Sequence, residues 1–154
     1  MGLDLYLVKN IDGLDAISSG NEEKEEELCY GRKTWNIARF FMDRSERCYK
    51  STDCYWRVPH SAWDEYMNYI IFALERLEDK GYEIIDLIEK YRTNSETEKE
   101  AEMLKEFVDD LHDYPPTLGY DWEAQAMIDW ADNDLKVCDA FEDAPKNIYL
   151  IVSY

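Results

Sequence analysis

The apolar residues between Ser61 and Lys80 recur at the spacing of an amphipathic helix. At about 100° per residue, one arc of roughly 140° holds a set of large apolar side chains: Trp63, Tyr66, Met67, Ile70, Ile71, Leu74 and Leu77. Tyr69 and Phe72 fall on the opposite side, so we expect neighbours to pack on both sides of this helix. Ser61 is expected to cap its amino end and Gly81 to end it. The pattern therefore predicts a central helix.

Strand patterns stand at the two ends of the chain. In Gly2–Lys9, leucines at every second position give the period of a half-buried strand. Asn147–Tyr154 is rich in β-branched and aromatic residues, which also favour a strand. Neither strand has another long partner in the chain, so we expect them to pair with each other against a helical layer. The predicted fold class is α+β: one mainly helical, compact domain over residues 1–154, with a small sheet pairing the amino- and carboxy-terminal strands.

The remaining segments divide into helices and connections. Apolar periodicity and helix-end signals predict four further helices: Trp35 to about Arg47, Tyr82 to about Tyr91, Ser95 to about His112, and Asp121 to about Phe141. Ser95 and Glu98 form the capping box of the third. Connections are predicted at Asn10–Gly20, which is rich in turn residues, and at Cys48–Pro59, where the proline excludes a preceding helix. The acidic run Glu22–Glu27 is predicted to be a solvated surface segment.

Composition limits the class of protein. A chain of 154 residues with 45% hydrophobic content, 5 Trp, 12 Tyr and 5 Phe is not a disordered chain and can bury a core. There is no apolar run near the roughly 18 residues of a membrane span and no signal-peptide pattern, so we expect a soluble protein that stays in the cytosol where it is made. The 4 cysteines are expected to be free thiols, since disulfides belong to exported proteins.

Charge is distributed unevenly along the chain, whose net charge is -18. Arg32–Arg57 holds seven basic and three acidic residues, whereas Gly81–Pro145 holds 19 acidic and five basic residues. Such an acidic surface repels nucleic acid and anionic membranes and attracts a basic partner. Negative charge also aids solubility, which explains the excess without a partner. The basic helix from Trp35 could bind nucleic acid, but we expect its cations to neutralise acids elsewhere in the fold.

The helix predicted to run to about His112 carries a stripe of acidic residues. At 100° per residue, five carboxylates fall within an arc of about 80°: Glu98, Glu102, Glu106, Asp109 and Asp113. Carboxylates one turn apart repel each other by a few tenths of a kcal/mol, about 0.2–0.5 per pair. The stripe is either a solvated face or a surface aimed at a basic groove on a partner. In the second case, acids of the last helix extend the surface: Asp129, Asp132 and Asp139.

The chain offers little evidence of catalysis or metal binding. It lacks the phosphate-binding motif G-x-x-x-x-G-K-[ST], the dinucleotide motif G-x-G-x-x-G and the zinc-protease motif H-E-x-x-H. Cys48, Cys54 and His60 could form a zinc site, but such sites prefer tighter paired spacing and a fourth ligand. Cys29 could act as a nucleophile only if the fold joined it to His60 or His112. We therefore predict no catalytic residues, no metal and no cofactor.

Three segments together match the landmarks of one family of small proteins. Members of that family begin with Met-Gly-Leu-Asp-Met-Tyr-Leu, and Met1–Leu7 reads Met-Gly-Leu-Asp-Leu-Tyr-Leu. The family's Tyr-Trp-Arg-Lys, followed by a helix with Ile-His and an aromatic pair, is matched by Tyr30–Lys33 and Ile37–Phe41. Its Gly-x-x-Tyr-Asp-like turn before the last helix is matched by Leu118–Trp122. On these three segments the chain resembles a family of small proteins encoded by bacteriophages and prophages.

The resemblance implies a phage or mobile-element origin and carries no defined activity. Two positions depart from the family pattern, since Gly31 replaces the tryptophan and Ala38 replaces the histidine. Any site that relatives build on that histidine is therefore missing here. Small acidic proteins of such origin are often inhibitors of host defence, including anti-CRISPR proteins and DNA mimics, which is an analogy between classes of protein.

Two functions from different classes follow from these observations. The first is a non-enzymatic inhibitor that docks its acidic residues on a basic, nucleic-acid-binding surface of a host protein, without itself binding nucleic acid or membrane. The second is a phage structural or assembly module that forms homo-oligomers through its aromatic-rich helices. Salt dependence separates them, because electrostatic docking weakens with ionic strength and an apolar interface does not.

Overall fold

A computed structural model describes residues 3–11, 13, 25–32, 34–50, 53–81, 83, 86, 102 and 123–153. Its elements, in chain order, are β1 (Asp4–Asn10), β2 (Glu25–Arg32), α1 (Trp35–Arg44), β3 (Glu46–Lys50), β4 (Asp53–Arg57), α2 (His60–Asp79), α3 (Glu123–Asp132), α4 (Asp134–Asp143) and β5 (Ile148–Ser153). This is the predicted α+β class. The helices predicted at 82–91 and 95–112 lie outside the described residues, apart from Glu83, Asp86 and Glu102. Asp86 and Glu102 have helical backbone, whereas Glu83, near the predicted start of the first of these helices, does not.

The two terminal strands lie side by side in an antiparallel sheet of order β2-β1-β5-β4-β3. Asp4 pairs with Ser153 at one end of the β1–β5 ladder, and Lys9 pairs with Ile148 at the other. The predicted pairing of the terminal strands is therefore confirmed. The expectation that neither strand has another partner is wrong, because β2 pairs with β1 and β4 pairs with β5.

The strands that sequence reasoning missed lack a long apolar alternation. β2 begins inside the acidic run, at Glu25, and its buried side includes only Leu28 and Cys29 among large side chains. Edge strands commonly carry charged side chains, which discourage pairing with strands of other chains and interrupt the apolar pattern. β3 and β4 form a hairpin where a connection was predicted, and β4 contributes Tyr55 and Trp56 to the buried set.

Two predicted helices have different limits from those that their apolar patterns indicate. α1 ends at Arg44 instead of about Arg47, because Ser45 adopts an extended backbone (φ -119°, ψ 154°) that leads into β3. The single last helix is in fact two, α3 and α4, which meet at Asn133. The Asn133 side chain donates from Nδ2 to the carbonyl of Asp129 at 2.9 Å. Such a side-chain bond to the preceding turn competes with regular helix geometry.

The backbone conformations of Pro59 and Gly81 mark the two ends of helix α2. It starts directly after Pro59, whose extended backbone (φ -78°, ψ 151°) occupies the cap position with no side-chain hydrogen bond. The prediction that Ser61 caps the helix is therefore wrong, as Ser61 lies within it. Gly81 has a positive φ of 85° and donates its N–H to the carbonyl of Glu78 at 2.8 Å. This left-handed conformation favours glycine and ends the helix as predicted.

One side of α2 is buried and the other faces solvent. Trp63, Tyr66, Ile70 and Ala73 are at most 4% exposed, and this side packs towards α1, α3 and α4. On the other side the exposed fractions are 39% for Tyr69, 48% for Ile71 and 61% for Phe72. The expectation of packing on both sides, and the placement of Ile71 on the buried arc, are therefore wrong. The helix makes its apolar contacts on one side, with a single layer of neighbouring helices.

A cluster of aromatic rings joins the helices beneath the sheet. The ring of Phe41, on α1, lies 6.0 Å from Trp63 and 5.2 Å from Tyr66, both on α2. The same ring lies 5.8 Å from Trp130 on α3. The Tyr66 hydroxyl donates to the carbonyl of Met127 at 2.8 Å, which satisfies the buried polar atom. Three helices thus share one aromatic contact, centred on Phe41.

Side chains of α3 and α4 donate to backbone carbonyls of the edge strand β2. Trp130 Nε1 lies 3.0 Å from the Tyr30 carbonyl oxygen, and Lys136 Nζ lies 2.9 Å from that of Glu27. Carbonyls on sheet edges can otherwise recruit strands of other chains. These bonds fix α3 and α4 against the sheet, and with them the acidic residues that the two helices carry.

Candidate functional site

The predicted acidic surface is only partly within the described residues. Glu98, Glu106, Asp109 and Asp113 lie outside them. Glu102 is exposed, on helical backbone. The other three residues lie on neighbouring helices: Asp129 is half-buried on α3, Asp132 is exposed at the end of α3, and Asp139 is exposed on α4. How the stripe on the 95–112 helix lies relative to these three acids therefore stays a prediction.

Lys9, on β1, binds two acidic residues of its own chain. Lys9 contacts Asp143 at 3.0 Å and Glu26 at 3.1 Å, and the hydrogen bonds that it donates to these two carboxylates raise its pKa. Such exposed pairs add at most about 1 kcal/mol each to stability. Their consequence here is electrostatic: this lysine is held against the protein instead of projecting towards a partner.

Two cations between Arg32 and Arg57 also bind acids of the same chain. Arg44 donates from Nε and Nη2 to both carboxylate oxygens of Glu65, at 2.9 and 3.1 Å, and stacks on the ring of Phe40. Its hydrogen bonds to Glu65 raise the pKa of Arg44. Arg57 lies 3.5 Å from Glu46. For Arg44 and Arg57, the expectation that these cations neutralise acids within the fold is confirmed.

The structure also brings together a group of side chains that sequence reasoning did not connect. His60 and Asp64 on α2 face Asp134 and Cys138 on α4. His60 Nε2 lies 3.5 Å from Asp64 Oδ1 and 3.9 Å from Cys138 Sγ. Cys138 donates to Asp134 Oδ1 at 3.3 Å, and the same oxygen accepts the Trp63 Nε1–H at 2.6 Å.

This interhelical group fits a structural contact better than a catalytic one. The imidazole of His60 stacks on Phe141, with ring centroids 4.7 Å apart. Burial first, and then the hydrogen bond to Asp134, raise the pKa of the Cys138 thiol to about 11, so it is protonated at neutral pH and a poor nucleophile. Over the residues that the structure describes, no three His, Cys, Asp or Glu side chains are arranged to hold a metal ion.

The partners proposed for His60 from sequence differ from those observed. Neither Cys48 nor Cys29 contacts it: Cys48 Sγ approaches the Glu46 carbonyl at 3.6 Å, and Cys29 is buried on β2. The side chain of Cys54 lies outside the described residues. Cys29, Cys48 and Cys138 are free thiols. One signal was available in sequence, since His60 and Asp64, like Asp134 and Cys138, are spaced one helical turn apart.

Stability should fall in alkali because buried thiols resist ionisation. Burial raises the pKa of Cys29 to about 12, against an ordinary value of 9.0. The unfolded thiol ionises near pH 9.0, whereas the folded one stays protonated until about pH 12. The contribution of Cys29 to the free energy of unfolding is therefore complete below pH 9.0 and is lost as the pH rises towards 12. The slope approaches about 1.4 kcal/mol per pH unit for one group.

Urea unfolding at several pH values between 9.0 and 11 tests this prediction. We expect the Cys29→Ala variant to lose stability less steeply with pH than the wild type. Cys138→Ala should show a smaller change, because its thiol has the smaller pKa shift. Wild-type slopes in both variants would contradict the assignment of the pH dependence to these thiols.

Comparisons with known proteins do not place the chain in a family: no family model, curated protein or solved structure matches it. The phage-family resemblance therefore rests on the quoted segments.

At two positions of the resemblance, Gly31 and Ala38, the structure leaves little room for the larger residues of the family. A Cβ on Gly31 would lie 2.7 Å from Thr34 Oγ1, and Ala38 is 1% exposed. None of the described helices is long and apolar enough to span a bilayer.

Proposed function

We propose that this protein is a small acidic interaction protein of phage or mobile-element origin. It inhibits a host nucleic-acid-binding protein, in the bacterial cytosol, by docking carboxylates on that protein's basic surface. The observation that carries the proposal is that, among the described residues, several cations are paired within the chain while many acids are exposed. Lys9, Arg44 and Arg57 are paired with carboxylates of their own chain, while acids along α2, α3 and α4 remain exposed.

Several acidic helices are needed for such a surface. Carboxylates one turn apart on a helix are about 5–6 Å apart, a coarser spacing than the roughly 3.4 Å step between phosphates of one DNA strand. A single helix would therefore imitate nucleic acid poorly. In this fold α2 contacts both α3 and α4, so that exposed acids of three helices belong to one layer. This arrangement supports docking on a cationic groove and disfavours direct binding of nucleic acid.

Charge reversal tests the proposal. We expect the triple variant Glu102→Lys, Glu106→Lys, Asp109→Lys to fold and to bind its partner at least about 100-fold more weakly, because like charges then meet across the interface. The measurement is capture from bacterial lysate on immobilised wild type and variant, at about 0.05 M and about 0.5 M salt. The wild type should retain a basic nucleic-acid-binding protein that high salt or added duplex DNA releases.

One observation favours the alternative function, an assembly module. Ile71 and Phe72 on α2 are 48% and 61% exposed, and apolar side chains of this size can form a self-association surface. In that case the wild type should elute as an oligomer at both low and high salt. Partner capture that is unaffected by salt and by the charge reversal would also replace the inhibitor proposal with this one.

A further inference from the structure

Helix α2 presents a solvent-facing side that combines apolar and acidic residues. We call it the outer face of α2, formed by Asn68, Ile71, Phe72, Glu75, Glu78 and Asp79, all of them exposed. At about 100° per residue these positions fall within an arc of roughly 120°. Ile71 and Phe72 lie on the two flanks of that arc, with Glu75 and Asp79 between them. Apolar and acidic groups are thus interleaved on one surface.

The size of the exposed apolar groups distinguishes this face from an ordinary solvated one. A purely solubilising surface needs acids only and gains nothing from a phenylalanine that is 61% exposed. Phe72 is not hidden by its neighbours: Arg76 lies over its ring at 5.9 Å, and the ring still faces solvent. The face therefore suits a partner that supplies both an apolar contact and positive charge.

We propose that the outer face of α2 is the docking site for a basic amphipathic helix of the partner protein. This inference rests on the proposed function and assigns to it a surface and a class of ligand. Apolar side chains of the partner helix pack on Ile71 and Phe72, and its lysines and arginines pair with Glu75, Glu78 and Asp79. Two helices that pack side by side lie 8–10 Å apart, within reach of long basic side chains.

Charge complementarity selects this occupant over a second copy of the chain. If two copies met through this face, Glu75, Glu78 and Asp79 of one would oppose the same acids of the other. Like charges that face each other across an interface disfavour association of two copies. A basic partner turns the same acids into favourable contacts.

A designed peptide probe tests the apolar part of the site. The probe is a fluorescent 18-residue helix with leucines and one tryptophan on one side and lysines on the other, and its scrambled sequence is the charge-matched control. We expect wild type to prefer the helix over the scramble by at least about tenfold in fluorescence anisotropy titrations. The double variant Ile71→Ser, Phe72→Ser should lose that preference.

Matched substitutions elsewhere separate this face from general effects. Ile11→Ser removes an isoleucine that is 62% exposed at the end of β1, and should leave the affinity within about twofold. Glu75→Lys with Glu78→Lys should weaken binding at least about tenfold, whereas Glu27→Lys with Asp43→Lys makes the same charge change on β2 and α1 and should weaken it much less. Unchanged circular dichroism melting shows that each variant is folded.

The outcomes distinguish this inference from the proposed function. Equal binding of helix and scramble, equal losses from both pairs of charge reversals, or no effect of the Ile71 and Phe72 changes would overturn the outer-face site. Absence of peptide binding by the wild type would also overturn it. None of these results decides the proposed function, which is tested separately by lysate capture of a basic partner and by the sensitivity of that capture to salt and to reversal of Glu102, Glu106 and Asp109.

Discussion

Removing Ile148–Tyr154 is expected to unfold the whole domain. β5 lies in the middle of the sheet, between β1 and β4. Without it the sheet separates into the β1–β2 and β3–β4 pairs, and two-stranded pairs are marginally stable at best. The deletion also removes Ile148, Tyr149 and Leu150, none of which is exposed to solvent. Burial of side chains of this size contributes about 1.5–3 kcal/mol each, a large part of the 5–15 kcal/mol that stabilises a typical domain.

Circular dichroism melting of the truncated chain is the measurement. We expect no cooperative transition and a loss of near-ultraviolet signal from the buried aromatic rings. Two substitutions in the strand calibrate the result: Leu150→Ala should cost about 2–5 kcal/mol, and Ile151→Ala less, because Ile151 is only half-buried. A truncated protein that melts cooperatively at the wild-type temperature would show that β5 does not hold the sheet together.

Phe41→Ala should be among the most damaging single substitutions in the helical layer. Phe41 is completely buried, and its ring contacts Trp63, Tyr66 and Trp130, which come from two other helices. Truncation leaves a cavity that none of these large rings can fill without moving the others. We expect a loss of about 3–5 kcal/mol in the free energy of unfolding.

Phe72→Ala is the matched control, since it deletes the same atoms from a ring that is 61% exposed. Its cost should stay within about 0.5 kcal/mol. Urea denaturation followed by tryptophan fluorescence measures both variants. If the two substitutions cost the same, the aromatic cluster centred on Phe41 does not anchor the helices to one another.

Part of the fold could be predicted because it depends on local pattern. The alternation in β1, the β-branched run of β5 and the 3.6 periodicity of α2 each lie within one segment, and the structure confirms all three. Gly81 ends α2 because a positive φ favours glycine wherever it occurs. β2, β3 and β4 could not be predicted in this way, because their segments lack such a local pattern and β4 takes its second partner, β5, from the far end of the chain.

The same distinction between local pattern and tertiary contact applies to the candidate sites. Spacing along one helix predicts an acidic stripe around Glu102, which stays a prediction because the other residues of the stripe lie outside the described part of the chain. Sequence distance likewise suggested Cys48 and Cys54 as partners of His60, whereas the fold brings Cys138 to it from 78 positions away. Local periodicity also placed Ile71 on the buried arc of α2, where the structure has it 48% exposed.

What the sequence determined by itself is the identity of its strongest local elements and the sign of its charge. The tertiary structure decided which residues meet. It placed β5 in the middle of the sheet, turned Arg44 towards Glu65, and left Phe72 facing solvent beside Glu75. The physical reason is that periodicity records which sides of a helix or strand are apolar, while burial depends on which of those sides finds a neighbour.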